Sequence, residues 1–172
     1  MKLERIFLVG FMCSGKSTVG SALSKALGWR YLDTDLEIEK KLGKSIDKIF
    51  KEEGEAFFRE FEIKVLKEII NNQNIVISTG GGLGANIAAM EIMLGSGFVV
   101  WLRIDFETFI SRCSNTHRPL LSIKEVNLKQ LMQNREEVYK LAHLELDSSR
   151  DLDDVIKDLL HRLDRVCDIN KL

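Results

Sequence analysis

The feature that most restricts how this chain can fold is Gly10-Phe11-Met12-Cys13-Ser14-Gly15-Lys16-Ser17, which follows the apolar run Ile6-Phe7-Leu8-Val9 directly. Four apolar residues in a row suit a strand buried on both faces. Residues 16–27 then place Val19, Ala22, Leu23, Ala26 and Leu27 along one helical face. Strand, glycine loop and helix with the spacing G-x-x-x-x-G-K-[ST] make a P-loop. Its glycines let backbone N–H groups close around phosphate oxygens, and the helix N-terminus adds partial positive charge. In that chemistry Lys16 reaches the β- and γ-phosphates and the Ser17 hydroxyl ligates Mg²⁺. A glycine turn that binds nothing is the bland alternative, and the flanking strand and helix argue against it.

The remaining composition limits what such a site can serve. At 172 residues the chain fits one domain over 1–172. A net charge of −1 with no long basic run points to neither nucleic acid nor an anionic membrane, so any cationic site is local. No apolar stretch is long enough to span a bilayer, and Met-Lys-Leu-Glu-Arg leads into the first strand instead of a signal-peptide core, so a cytoplasmic protein is expected. Cys13, Cys113 and Cys167 are far apart and lack C-x-x-C spacing, so neither a disulfide framework nor a zinc site is expected. His117, His143 and His161 also lack ligand spacing and read as surface or packing residues.

Along the chain, Trp29 to Leu32 reads as a strand ending in Asp33-Thr34-Asp35. If the backbone is still extended there, both carboxylates project to one side, above the phosphate loop. Asp33 then belongs to the Mg²⁺ shell and Asp35 to an acceptor hydroxyl, unless one of them simply caps the next helix. Residues 36–42, 46–50 and a longer segment through Phe57 to Ile69 read as helices, with Ser45 as an N-cap. Arg59 and Glu62 are three apart on that last helix, among Phe57, Phe58 and Phe61. The arrangement fits a partly desolvated arginine gripping an anion, or a plain surface ion pair.

The strand Asn74 to Ser78 ends in Thr79-Gly80-Gly81-Gly82, where successive glycines imply a close approach of main chain to something else. Helix 85–94, strand 98–102, helix 105–112, helix 125–140, strand 141–146 and a last helix to about Val166 follow, with a frayed end from Asp168. Strands alternating with helices predict an α/β fold, a parallel sheet with helices on both faces. Between two of the helices, residues 114–122 hold the only proline and read as a loop, from which Arg118 can fold over the phosphates as arginine fingers do.

Taken together, the glycine loop, Asp33-Thr34-Asp35, Phe58-Arg59-x-x-Glu62, Gly80-Gly81-Gly82 and Arg118-Pro119-Leu120-Leu121 resemble the shikimate kinase family, collinearly from Ile6 to about Val155. The resemblance implies a three-layer P-loop NTPase fold with a five-stranded parallel sheet, a helical substrate-binding region over 34–72 and a lid over 113–124. It implies transfer of the γ-phosphoryl of ATP to the 3-hydroxyl of shikimate, in the pathway to chorismate and aromatic amino acids. By the same resemblance, Cys13, Ser14, Gly15, Lys16, Ser17 and Thr18 hold the nucleotide, and Ser17 and Asp33 lie at Mg²⁺. Asp35, Lys16 and Arg118 are the implied catalytic residues. Asp35, Arg59, Arg135 and Gly80 to Gly82 are the implied shikimate site, and Arg150 lies against adenine.

The implied partners are ATP or ADP and shikimate, and a monomer is expected. Cys13 departs from the family, where a small residue, often glycine, is common. It either fills that slot or, beside the helix N-terminus and Lys16, is an unusually nucleophilic thiol. Rival readings are a gluconate or nucleoside monophosphate kinase on the same fold, a nucleotide switch, for which N-K-x-D and D-x-x-G are lacking, and a catalytically idle binding module.

Overall fold

A computed structural model describes residues 3–113 and 125–166. The expected lid beyond Cys113, with His117 and Arg118, lies outside the described residues, as do Cys167 and the tail from Asp168. The described elements run β1 (Arg5–Val9), α1 (Lys16–Leu27), β2 (Arg30–Asp33), α2 (Thr34–Leu42), α3 (Ile46–Ile69), β3 (Ile75–Ser78), α4 (Gly81–Gly84), α5 (Ile87–Ser96), β4 (Phe98–Arg103), α6 (Phe106–Cys113), α7 (Glu125–Tyr139), β5 (Leu144–Asp147) and α8 (Leu152–Val166).

Across the sheet the strand order is β2-β3-β1-β4-β5, and every neighbouring pair is parallel. Successive side chains of β1 point to opposite faces. Ile6 and Leu8 enter one apolar cluster with Val19 and Leu23 of α1 and Val155, Leu159 and Leu163 of α8. Phe7 and Val9 enter the other, with residues of α3, α5, α6 and α7. Burial on both faces is why β1 and β3 read as unbroken apolar runs instead of alternating ones.

Four local features differ from the sequence reading or refine it. The two helical segments expected over 46–69 form one element broken at Gly54, whose φ of 84° no helix tolerates. The glycine run after β3 is partly helical, closed by the Gly84 N–H donating to the Gly80 carbonyl at 3.0 Å. The fifth strand begins at Leu144, because the Leu141 and Ala142 amides turn back to the Val138 and Tyr139 carbonyls. His143 in that turn stacks on Phe98 and accepts the Val99 N–H at 3.0 Å, a packing role.

The fourth difference is a correction. Cys13 and Cys113, expected to be unlinked, form a disulfide, with Cα atoms 6.0 Å apart. Their separation of 100 residues carries no pairing signal; the tertiary fold brings the end of α6 against the phosphate loop. A bridge closing so long a loop restricts the unfolded chain and typically stabilises by about 2–4 kcal/mol. Among the described residues no helix is long and apolar enough to cross a membrane.

Candidate active site

Leu8 pairs with Ser78, and Ser78 with Asp33, so the C-terminal ends of β1, β3 and β2 lie in line. The segments that follow them, Gly10 onward, Thr79 to Gly82 and Thr34-Asp35, therefore emerge side by side. In open α/β sheets this is the edge where ligands bind.

At the phosphate end, Ser14, Lys16, Ser17 and Thr18 line a cavity of about 480 Å³, with Arg112 and Arg150 on its wall. Gly15 begins α1 with φ 86° and no side-chain cap, so no side chain consumes the first-turn N–H groups that an anion can use. Lys16 Nζ donates to the Gly10 and Phe11 carbonyls at 2.8 Å each, which pins the ammonium over the loop. Ser14 Oγ is buried and is the unpartnered side-chain oxygen of that loop.

Ser17 Oγ donates to Asp33 Oδ2 at 3.0 Å. The other oxygen, Oδ1, accepts the N–H groups of Asp35 and Leu36 at 3.0 and 3.4 Å. Asp33 thus caps α2, as one of the two sequence alternatives had it, and the same carboxylate also holds the Ser17 hydroxyl. The extended backbone assumed for Asp33-Thr34-Asp35 does not hold, since β2 ends at Asp33 and Asp35 stands in the first turn of α2. It still reaches the phosphate cavity. Thr34 is fully buried, and its Oγ1 accepts the Gly80 N–H at 2.9 Å, tying that turn to the glycine run.

A second cavity, of about 1040 Å³, is lined by Arg59, Glu62 and Arg135 among others, and shares Met12, Asp35 and Gly81 with the first. Asp35, Arg59 and Arg135, from α2, α3 and α7, meet there. The glycines make the space: a Cβ on Gly80 would strike the Asp35 carboxylate, one on Gly81 would lie 3.2 Å from Arg135 Nη1, and one on Gly82 would strike the Arg59 guanidinium. Each glycine faces a different charged group, which is the close approach that three in succession provide.

Arg59 Nη1 donates to Glu62 Oε2 at 2.7 Å, while Nη2 and Nε donate to Glu55 at 3.1 and 3.3 Å. This is not a surface pair, because the Glu62 side chain is only 2% exposed. Burial raises the Glu62 carboxyl most, Arg59 partly offsets it and the nearby Asp35 charge adds to the rise, leaving it at about 7. Burial works against the Arg59 charge, but the two glutamates more than offset it and hold the guanidinium above its ordinary range. Phe50 and Phe58 flank that guanidinium, 5.9 and 5.4 Å from its central carbon. Phe57 and Phe61, expected beside it, stack on each other. Arg135 lies over the Phe11 ring at 5.5 Å, so the phosphate loop supports this end too.

Two residues to which the sequence assigns no role, Tyr139 and Arg112, stand at the site beside the expected Arg150. Buried Tyr139 donates to the Gly81 carbonyl at 2.9 Å, one helical turn from Arg135. The i, i+4 spacing was its only signal. Arg112 donates to the Ser148 and Ser149 carbonyls at 2.8 and 3.2 Å, and nothing in its amphipathic helix marks it in sequence. Arg150 stands on the phosphate cavity's wall, its Nη2 donating to Asp158 at 2.8 Å.

This arrangement can be set beside known proteins. A family profile described as shikimate kinase matches residues 12–164. The chain belongs to the shikimate kinase family. It is 44% identical over 161 residues to shikimate kinase of Aquifex aeolicus (strain VF5), covering 93% of this chain and 96% of that one. The crystal structure of that protein superimposes with a TM-score of 0.86. Shikimate kinase from Acinetobacter baumannii, solved in complex with shikimate, is 35% identical, with a TM-score of 0.88 over 99% of this chain and 96% of that one.

Deoxyadenosine kinase from M. mycoides (21% identical, TM-score 0.66) and a gluconokinase from Sinorhizobium meliloti 1021 (17%, 0.58) share the fold alone. As a shikimate kinase family member the chain is an enzyme of the phosphotransferase class, built on the five-stranded parallel P-loop fold.

Proposed function

We propose that this enzyme transfers the γ-phosphoryl group of Mg-ATP to the 3-hydroxyl of shikimate, giving 3-phosphoshikimate in the pathway to chorismate and aromatic amino acids. The observation that carries the reading is the position of Asp35 in the wall common to two cavities, one bounded by the phosphate loop and the other by Arg59 and Arg135. A substrate with a carboxylate at one end and hydroxyls at the other fits that polarity. Arg59 and Arg135 grip the carboxylate, the glycine turn supplies main-chain contacts through Gly80 to Gly82, and Asp35 orients the hydroxyl. The helical region 34–72 then serves shikimate, within a single domain.

In the transfer, the 3-oxygen bonds to the γ-phosphorus as the bond to the β–γ bridging oxygen breaks, ADP departs, and the proton passes to the Asp35 carboxylate. Most of the work is positioning and charge neutralisation. Cys13 to Thr18 cradle the nucleotide, the Lys16 ammonium lies against the phosphates, and Arg150 stands on the nucleotide side. Arg118, in the lid assigned to 113–124, neutralises developing charge on the same family reading.

The donor pair at the metal position fits Mg²⁺: Ser17 Oγ and Asp33 Oδ2 are hard oxygens 3.0 Å apart, and Mg²⁺ takes few protein ligands and completes its shell with water and phosphate. When bound there it would neutralise phosphate charge. The enzyme is read as a cytoplasmic monomer, and its net charge of −1, with no long basic run, supports the absence of nucleic-acid or anionic-membrane partners.

The test is ADP release coupled to a substrate panel. Release is expected on adding shikimate, and not on adding gluconate or a nucleoside monophosphate. Release with one of those instead, or tight nucleotide binding without turnover, overturns the assignment.

A further inference from the structure

Cys13 and Cys113 differ in their surroundings. Cys113 is fully buried in the apolar cluster beneath the sheet, whereas Cys13 is partly exposed and lines the phosphate cavity. The Cys13 end of the bridge therefore lies at the space where the nucleotide phosphates belong, and the Cys113 end is sealed behind it. Cys13 also has φ 59°, a left-handed conformation that L-residues disfavour, and among the described non-glycine residues only Asn74 shares a positive φ. The phosphate loop is consequently fastened, at a residue whose backbone conformation needs holding, to the last residue of α6.

We propose that the Cys13–Cys113 bridge is a thiol-exchange site that takes a dithiol reductant at Cys13 and makes nucleotide binding depend on redox state. The inference rests on the reading of the loop as a nucleotide cradle. A thiolate of the dithiol attacks Cys13 Sγ, the Cys13–Cys113 bond breaks, and its electron pair leaves on Cys113 Sγ, which takes a proton. The second thiol of the reductant then attacks the mixed disulfide and releases Cys13. The protein gains two thiols, the dithiol becomes a disulfide, and exchange with an oxidised dithiol runs the same steps backwards.

Reduction leaves the backbone at Cys13 free to relax, so the amides that close on phosphate are less well fixed and nucleotide binds more weakly. Bound nucleotide covers Cys13, which lines the cavity, and by linkage whatever the bridge adds to affinity the nucleotide returns as resistance to reduction.

The full chain, purified without reductant, is denatured, alkylated with iodoacetamide and weighed, before and after treatment with dithiothreitol. One alkylated cysteine is expected before and three after. ATP affinity, measured in the presence of Mg²⁺, should be about fivefold or more weaker in the reduced protein, and Mg-ATP should slow the reduction. Cys113→Ala should match the reduced wild type and ignore dithiothreitol; Cys113→Val repeats the test with the buried space filled. Three alkylated cysteines without reductant, or equal or tighter ATP binding in the reduced form, overturn the proposal alone. Absence of nucleotide binding in both forms overturns the cradle reading and this proposal with it.

Discussion

The phosphate end and the acceptor end of the site share one wall, at Met12, Asp35 and Gly81, and are otherwise built differently. The first centres on the backbone of one contiguous segment, Met12 to Val19, with Lys16 folded onto its own loop carbonyls, Ser17 joined to Asp33, and side chains such as Arg112 and Arg150 only on its wall. The second consists of side chains from α2, α3 and α7, held off a glycine turn that supplies space. A backbone site survives many side-chain changes, because N–H groups belong to every residue but proline. A side-chain site loses function with each member. Substitutions at the acceptor end should therefore change shikimate handling while ATP parameters stay nearly constant, and any that moves both equally breaks the comparison.

Asp35→Asn should give the largest effect, since it removes the proton acceptor while keeping the shape of the wall. A loss of kcat on the order of 10²–10⁴ is expected, with KM for ATP little changed. Steady-state kinetics with both substrates checks this. A kcat within about threefold of wild type would leave only positioning for Asp35.

Arg59→Lys comes next. The guanidinium engages Glu62 and Glu55 through separate nitrogens and faces Gly82, which an ammonium cannot reproduce. Loss of charged hydrogen bonds worth about 1.5–3 kcal/mol should raise KM for shikimate roughly 10- to 100-fold. An unchanged KM would place the carboxylate grip elsewhere.

The same contrast governs what could be read from the residues alone. The phosphate loop was legible because its chemistry needs fixed spacing within one segment, and the sheet because strands buried on both faces are continuous apolar runs. Of the two roles open to Asp33 in sequence, the fold shows the cap, through Oδ1, and sets Oδ2 against the Ser17 hydroxyl. At the acceptor end only Arg59 and Glu62 advertised each other locally. Arg135 gains its role only through the family resemblance, Tyr139 shows only its one-turn spacing from Arg135, and Arg112 shows nothing, because partners from distant segments leave no spacing to read. The Cys13–Cys113 bridge leaves no sequence signal for that reason, and Leu141 to His143 resembles a strand because a turn can alternate apolar and polar residues as a strand does.

Glu62 offers a pH handle on the acceptor end. Its folded-state value of about 7 lies above the ordinary 4.5, so the folded protein holds this proton more tightly than the unfolded chain. The resulting stability is complete below about pH 4.5 and is lost as pH rises through about 7. Glu62→Gln cannot ionise, so plotted against pH its stability should lack this loss, whose slope in the wild type is at most about 1.4 kcal/mol per pH unit. Urea midpoints from pH 4.5 to 8 measure the difference. Parallel curves would mean that Arg59 already keeps Glu62 ionised.

The smallest effect sharpens the comparison most, because it tests a residue that should touch neither substrate. Tyr139 is buried, its hydroxyl donates to the Gly81 carbonyl, and its helix carries Arg135. Tyr139→Phe keeps the ring packed against Trp101 and removes only that hydrogen bond, worth about 0.5–1.5 kcal/mol. If the bond sets the distance between the glycine turn and Arg135, KM for shikimate should rise roughly two- to tenfold while kcat and KM for ATP hold. A purely structural role would instead lower the urea midpoint and leave the shikimate KM alone. Because Gly81 lines both cavities, an equal rise in the ATP KM would show that the turn serves the phosphate end as well, and the division between backbone and side-chain halves would have to be redrawn at that residue.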